Sequence, residues 1–310
     1  MIHISDLGAI DLVKSSVVTI GVFDGVHRGH RYLLRRIAEA ARASSRLAVV
    51  VTFYPHPDIV VRGLTGRYYL LHPDERARMM GELGVDVVVT LHFDDALRQV
   101  RAADFTDLLV EHLKVEALWV GADFALGYQR EGNVAFLQRQ GEAKGFEVKV
   151  LDLLMADAGD EGAISSTAVR EALAQGEVAR AADWLGYGYR VSGPVVRGAQ
   201  RGRTIGFPTA NIQAWESQVI PANGVYAGWA FLGDERFMAV TNVGNRPTFD
   251  GQGVTIEAHL LDFDRDIYDQ TLTFTFEHRL RAEMKFSGID ALIAQIKADA
   301  EAGRALLSAP

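Results

Sequence analysis

No cysteine occurs among the 310 residues. That excludes disulfides, thiolate metal sites and a cysteine nucleophile. Positive charge is in deficit: 32 Lys and Arg stand against 40 Asp and Glu, a formal net charge of −8. A chain of this balance is not expected to bind nucleic acid through broad electrostatics. Long hydrophobic runs are missing as well. The longest, such as Leu47 to Val51, have the length of a strand and not of a membrane span, so no membrane partner is expected. The opening residues, MIHISDLGAID, lack a basic region followed by an apolar stretch. No signal peptide is expected from them, and the cytoplasm is the expected compartment.

What is present begins with an ample core, 48% hydrophobic, in a length that suggests two domains. The chain is organised around Val17 to His30, VVTIGVFDGVHRGH. Val17, Val18 and Ile20 read as a short buried strand. Gly21, Gly25 and Gly29 follow at a spacing of four, with His27 and His30 flanking the last. Leu33, Leu34, Ile37 and Ala41 then fall on one helix face. A strand thus feeds a glycine-bearing loop and then a helix N-terminus, whose unpaired N–H groups and positive dipole suit phosphate. It is not a Walker A loop, because no Gly-Lys-Ser/Thr follows, and it is not G-x-G-x-x-G. It reads as H-x-G-H, two imidazoles able to donate to α-phosphate oxygens where charge develops during transfer. A surface turn explains a lone histidine; two of them around a glycine at a strand-to-helix junction favour the phosphate site.

From Val17 to Leu151 strand and helix patterns alternate, which predicts a mostly parallel sheet with helices on both faces. Ligands of such sheets sit at the carboxyl ends of the strands. Phe53-Tyr54-Pro55-His56-Pro57 follows the second strand, and its prolines fix the backbone around His56; a rigid surface turn needs no more than that. After the fourth strand comes Gly121-Ala122-Asp123-Phe124-Ala125-Leu126-Gly127, where Asp123 could bond a ribose, the edge of a ligand ring or a neighbouring loop. Ser165-Ser166-Thr167 opens a helix with Arg170 in its first turn. Such hydroxyls cap helices, and with an arginine they also make an anion site.

The period changes across Leu185 to Arg190. Alternating strands then follow without helices between them, which predicts an antiparallel barrel or sandwich. A final helix closes it, with Ile289, Leu292, Ile293, Ile296 and Ala300 on one face and Ser287 with Asp290 as its cap. The domains expected are 1–186 and 189–310, and a cut near Gly188 is expected to leave both folded. Gly206-Phe207-Pro208-Thr209-Ala210-Asn211 reads as a loop between strands. Thr209 and Asn211 offer neutral oxygens that suit Mg²⁺ shared with phosphates, and equally an ordinary loop. Along Thr255 to Leu260, Ile256, Ala258 and Leu260 share one face while Glu257 and His259 share the other. A carboxylate there is either solvated or a base that takes a proton from an attacking alcohol.

GVFDGVHRGH resembles the H-x-G-H nucleotidylyltransferases, and its Asp24-Gly25 narrows the match to prokaryotic bifunctional riboflavin kinase/FAD synthetases. F-x-P-H-P at 53–57, S-S-T-x-x-R at 165–170, GFPTAN at 206–211, PANGVY at 221–226, NRPTF at 245–249, EAHLLDF at 257–263 and LRAEMKF at 280–286 stand in that family's order. Leu126 departs from it, because a second aromatic is usual there. The resemblance implies a nucleotidylyltransferase-like α/β domain followed by a riboflavin-kinase-like barrel. It implies FAD biosynthesis: phosphorylation of riboflavin by ATP to FMN, then adenylylation of FMN by a second ATP to FAD and pyrophosphate.

The same resemblance implies the site residues. His27 and His30 would be catalytic in adenylyl transfer. ATP would be held there by Gly21, Phe23, Asp24, Gly25 and His56, together with Ser165, Ser166, Thr167 and Arg170. Asp123 and Phe124 would meet the flavin. In the second domain Glu257 would be the catalytic base, Thr209 and Asn211 the Mg²⁺ ligands, Arg203 an ATP contact and Arg281 a flavin contact. The partners expected are small molecules, with no nucleic acid and no membrane. Two rival readings are a flavin-nucleotide binding protein without catalysis and an enzyme with one silent half.

Overall fold

A computed structural model of the chain describes residues 1–151, 164–198, 201–248 and 251–309, with side chains except at 201, 203, 246–248, 251 and 252. Contacts divide it into two compact units. The first comprises Met1–Gly66 and Leu71–Ser165; the second comprises Arg67–Leu70 and Ser166–Pro310.

The first unit contains strands β1 (Ile2–Ile4), β2 (Ser16–Ile20), β3 (Leu47–Tyr54), β4 (Val87–His92) and β5 (Val115–Gly121). A two-stranded hairpin, β6 (Ala125–Leu126) and β7 (Gly132–Asn133), precedes β8 (Glu147–Leu151). The main sheet has the order β1-β4-β3-β2-β5-β8 and every pairing in it is parallel. Strand β2 is buried from end to end, and so is the middle of β3, where Val49, Val50 and Val51 have no exposed surface. Parallel sheets covered by helices require this. The helices are α1 (Arg28–Ala43), α2 (Pro57–Arg62), α3 (Pro73–Glu82), α4 (Asp95–Gln99), α5 (Ala102–Leu113) and α6 (Val134–Lys144). Helix α1 buries Leu33, Leu34, Ile37 and Ala41, the face expected from its period.

The strand order fixes where a ligand can sit. From β2 the chain winds outward through β3 and β4, then returns to lay β5 on the opposite side of β2. The order therefore reverses between β2 and β5, and a crevice opens beyond their carboxyl ends. The loop with His27 leaves β2 there, and the loop with Asp123 leaves β5.

The second unit opens with α7 (Ser166–Gln175) and α8 (Val178–Leu185). Strands β9 (Arg190–Val196), β10 (Ala210–Ile212), β11 (Gly224–Leu232), β12 (Glu235–Thr248), β13 (Gly251–Leu260) and β14 (Thr271–Arg281) follow, with a short helix α9 (Arg201–Thr204) among them. They close into an antiparallel barrel of order β10-β13-β12-β11-β14-β9. Its core includes Val191, Tyr226, Ile256, Phe274 and Phe276. Leu173 and Leu185 from α7 and α8 belong to the same cluster, and so does Leu70.

Residues 67–70 are tied into this unit by backbone and side chain alike. Arg67 Nη1 donates to the carbonyls of Trp215 and Gln218, each at 3.0 Å. The N–H groups of Tyr68 and Tyr69 donate to Ser217 O, and Val219 N–H donates to Tyr69 O. Gln218 Nε2 donates to Leu70 O at 3.3 Å and to Arg190 O at 3.0 Å.

Helix α10 (Ile289–Ser308) ends the chain. Its N-cap is Gly288 without a side-chain hydrogen bond, so the expected Ser287–Asp290 cap is not formed. Ile289 is 59% exposed. Of the face expected from its period, Leu292, Ile293, Ile296 and Ala300 are half-buried; an ion pair adds to it, the Asp299 carboxylate accepting from Arg281 Nε and Nη2 at 2.7–3.1 Å and from Gln295 Nε2 of the same helix at 2.9 Å.

Candidate active sites

The first site is built by the turn between β2 and α1. Gly21 N–H continues the ladder to Val51 O at 3.0 Å. Beyond it Phe23, Gly25 and Val26 take φ of 55°, 78° and 38°. A positive φ at β-branched Val26 is a true backbone outlier, and such strain concentrates at functional sites. The reversal sets His27 at the N-cap of α1, where its Nδ1 accepts the His30 N–H at 3.4 Å. That bond leaves the ring proton on Nε2. The two imidazoles stack with centroids 3.6 Å apart, and the Phe23 ring meets His30 edge-on at 5.0 Å. His30 Nδ1 is buried and makes no hydrogen bond.

Burial pushes the His27 pKa down to about 4. Burial also holds His30 well below its ordinary value, reinforced by His27 and by the Arg76 guanidinium. Both rings are therefore neutral donors at pH 7, hydrogen-bonding groups rather than charges.

Three more groups brace the turn. Asp24, 1% exposed, accepts the Leu71 N–H at 3.3 Å. Thr52 Oγ1 donates to Val22 O at 2.9 Å. Arg76, also 1% exposed, donates to Val22 O at 2.9 Å and to Phe53 O at 3.0 Å. It thereby ties the end of β2 to the end of β3, where His56 follows. His56 caps α2 through Nδ1, which accepts the Asp58 N–H at 3.0 Å. His72 caps α3 in the same way with Asp74, at 3.3 Å.

The second site lies on the barrel. Asn211 on β10 pairs with Glu257 on β13, and Glu257 pairs in turn with Asn242 on β12. Directly opposed residues point to the same face, so these three polar side chains form one row across adjacent strands. Ile256, Ala258 and Leu260 are buried while Glu257 and His259 are half-buried, the alternation expected from the sequence. Of that row Asn211 lines a cleft of about 320 Å³, together with Gly198, Thr209, Asp264, Arg265 and Tyr268, among others, while β13 contributes Ala258 and Leu260 to its wall. Gly198 has a steric reason: a Cβ there would lie 2.5 Å from Asn211 Nδ2 and 2.6 Å from its Oδ1. Thr209 and Asn211 thus bring neutral oxygens to one cleft, a donor set that fits a hard cation shared with phosphates. Among the described residues no three of His, Cys, Asp and Glu gather as a metal site of their own.

Comparison with known proteins finds one family in each half of the chain. The family model described as FAD synthetase matches residues 10–168, and the one described as riboflavin kinase matches residues 185–307. The bifunctional riboflavin kinase/FMN adenylyltransferase of Escherichia coli K12 is 41% identical over 290 residues, covering 92% of this chain and 91% of that one. The protein of the same name from Listeria monocytogenes is 36% identical, covering 95% and 93%.

The chain belongs to the bifunctional riboflavin kinase/FMN adenylyltransferase family.

A solved structure from Streptococcus pneumoniae, described as a macrolide-efflux protein, is 33% identical with a TM-score of 0.87, covering 98% of each chain. In the present member of the family, no helix among the described residues is long and apolar enough to cross a membrane.

The remaining residues expected at the sites are placed as follows. Asp123 is exposed, and its carbonyl accepts from Arg130 Nη2 at 2.9 Å. Phe124 turns back onto Gly121 O through its N–H, at 3.2 Å. Leu126, the departure from the family pattern, is 8% exposed and packs in the core of the first unit. Ser166, Thr167 and Arg170 begin α7 in the second unit, whereas Ser165 ends the first. Arg170 Nε donates to Tyr68 O at 2.7 Å and its guanidinium lies 4.1 Å from the Tyr68 ring centroid. Arg281 holds Asp299. The Arg203 side chain lies outside the described residues, as do Ala199 and Gln200 beside it.

Sequence reading missed Arg76 and Asn242. Arg76 sits in the polar start of a helix, where an arginine reads as solvated. Asn242 carries no motif; its signal is its register opposite Glu257, which becomes visible only once β12 and β13 are paired.

Proposed function

We propose that the chain makes FAD from riboflavin in two ATP-dependent steps, with residues 189–310 carrying the kinase and residues 1–186 the adenylyltransferase. In the first step Glu257 takes the proton of the ribityl 5′-hydroxyl. The hydroxyl oxygen bonds to the γ-phosphorus of ATP as the bond to the β,γ-bridging oxygen breaks, and ADP leaves with FMN as product. Such chemistry needs alignment, charge neutralisation and a base. Mg²⁺, when held by Thr209 and Asn211, supplies the neutralisation.

In the second step a phosphate oxygen of FMN bonds to the α-phosphorus of another ATP and pyrophosphate leaves. The nucleophile is already ionised, so no general base is required. Neutral His27 and His30 donate hydrogen bonds where charge develops, with Ser166 and Arg170 as further phosphate contacts and Asp123 and Phe124 beside the flavin. The substrates are small molecules, and the cytoplasm supplies them; neither nucleic acid nor membrane takes part.

The row Asn211–Glu257–Asn242, set by strand register and reaching the cleft at Asn211, carries this reading. The test is a time course of the purified chain with riboflavin, ATP and Mg²⁺, with flavins separated chromatographically. FMN should appear first and FAD after it. Glu257→Gln should leave riboflavin untouched while added FMN still becomes FAD. A wild-type chain that yields no FMN, or a Glu257→Gln variant that phosphorylates riboflavin normally, defeats the assignment.

A further inference from the structure

Strand β10 begins at Ala210, which pairs with Ala258 on β13. Pro208, two residues upstream, has no N–H to offer a ladder. Its carbonyl is held by a side chain. His259 Nδ1 lies 2.8 Å from Pro208 O, and a carbonyl only accepts, so the ring proton sits on Nδ1. The Phe207 ring meets this imidazole edge-on, with centroids 5.5 Å apart and planes at 73°. Thr209 is bracketed as a result: Pro208 before it is fastened by His259, and Ala210 after it by the ladder. Both fastenings are to β13, the strand that carries Glu257.

We propose that His259 is a positioning residue for phosphoryl transfer, its Nδ1–H holding the Pro208 carbonyl so that Thr209 stays fixed at the cleft relative to Glu257. This rests on the reading of the second unit as the riboflavin kinase. His259 forms no bond to substrate in that role; it acts through the backbone of the loop. The loop bears the expected metal ligand, so loss of the bond weakens Mg–ATP binding more than the chemical step.

The imidazole can be dissected because an Asn amide nitrogen occupies about the place of Nδ1, whereas a Gln amide reaches to about the place of Nε2. Full-length His259→Asn and His259→Gln are compared with wild type in three measurements: KM for Mg–ATP and kcat in riboflavin phosphorylation, amide hydrogen exchange at Thr209 to Asn211, and conversion of added FMN to FAD as a control for the fold. His259→Gln should raise KM roughly tenfold, the size of one lost hydrogen bond, with kcat nearly unchanged and faster exchange at those amides. His259→Asn should restore both KM and exchange. If His259→Gln leaves KM and exchange unchanged, or if His259→Asn is impaired as much as His259→Gln, the positioning role is overturned while the kinase assignment stands. A wild-type chain that makes no FMN overturns both.

Discussion

Gly198→Ala isolates the kinase site with the smallest possible change. The added Cβ would lie 2.5–2.7 Å from the Asn211 amide atoms. An ordinary contact needs about 1 Å more, and the atoms that must yield form the free end of a side chain rather than backbone. The fold should therefore accept alanine with a stability change within about 1 kcal/mol, while the Asn211 amide swings away from the cleft. A misplacement of about 1 Å at a reacting site costs on the order of 10²-fold in rate. Riboflavin phosphorylation should fall by that order, and adenylylation of added FMN should be unaffected. A double-mutant cycle with Asn211→Ala makes the inference strict. If Gly198→Ala acts through Asn211, it should cost almost nothing once the amide is gone. Steady-state kinetics of the four proteins, with thermal unfolding of each, provide the reading. Independent, multiplying losses from the two substitutions would refute the steric argument, and so would a wild-type rate in Gly198→Ala.

His27 gives a pH prediction. Its folded pKa of about 4 lies below the usual 6.5, so the unfolded chain binds the proton more readily and stability is lost as pH falls from about 6.5 towards 4. The loss reaches up to about 3 kcal/mol; His27→Asn should remove that part of the acid slope, as urea unfolding from pH 4 to 7 would show. Arg76→Met strips two part-buried carbonyls of a donor and should destabilise the protein by about 1–3 kcal/mol. A melting temperature equal to wild type would contradict it. The last prediction concerns truncation. Val169, Leu173, Val178 and Leu185 are at most 1% exposed within the barrel's own core cluster, and each such side chain contributes about 1.5–3 kcal/mol. Residues 166–310 should therefore unfold cooperatively, whereas residues 189–310, the fragment expected from sequence to fold, should not; calorimetry of both fragments decides.

The legible parts of the molecule were those that repeat or punctuate. Alternating strands and helices up to Leu151 gave the parallel sheet, and the change of period near Leu185 gave the barrel. The faces of α1 and β13 followed from periods of 3.6 and 2. Less legible were the features decided by partners far along the chain. Strand β10 has three residues and begins two residues after a proline, too short for any period, so Asn211 reads as a loop residue although it stands in a ladder. Helix α10 shows its half-buried apolar stripe in the sequence, but not its ion pair: nothing local marks Asp299, which meets Arg281, as different from other helix-surface acids. Arg76 presents the same problem: its acceptors are carbonyls at the ends of two strands, 54 and 23 residues away.

Residues 67–70 bear on inheritance. The chain passes between its two units at 66/67, at 70/71 and again at 165/166, so no single recombination point transfers the barrel intact. A chimera that exchanges only the C-terminal segment would set a foreign 215–219 loop against the resident Arg67, Tyr69 and Leu70. Residues 67–70 and their acceptors at Trp215, Ser217 and Gln218 form one heritable unit split across the gene, and substitutions in one part should be tracked by substitutions in the other. The two activities thus share a chain that is woven rather than spliced, and a designer wishing to graft one barrel onto another sheet must move the short segment with it.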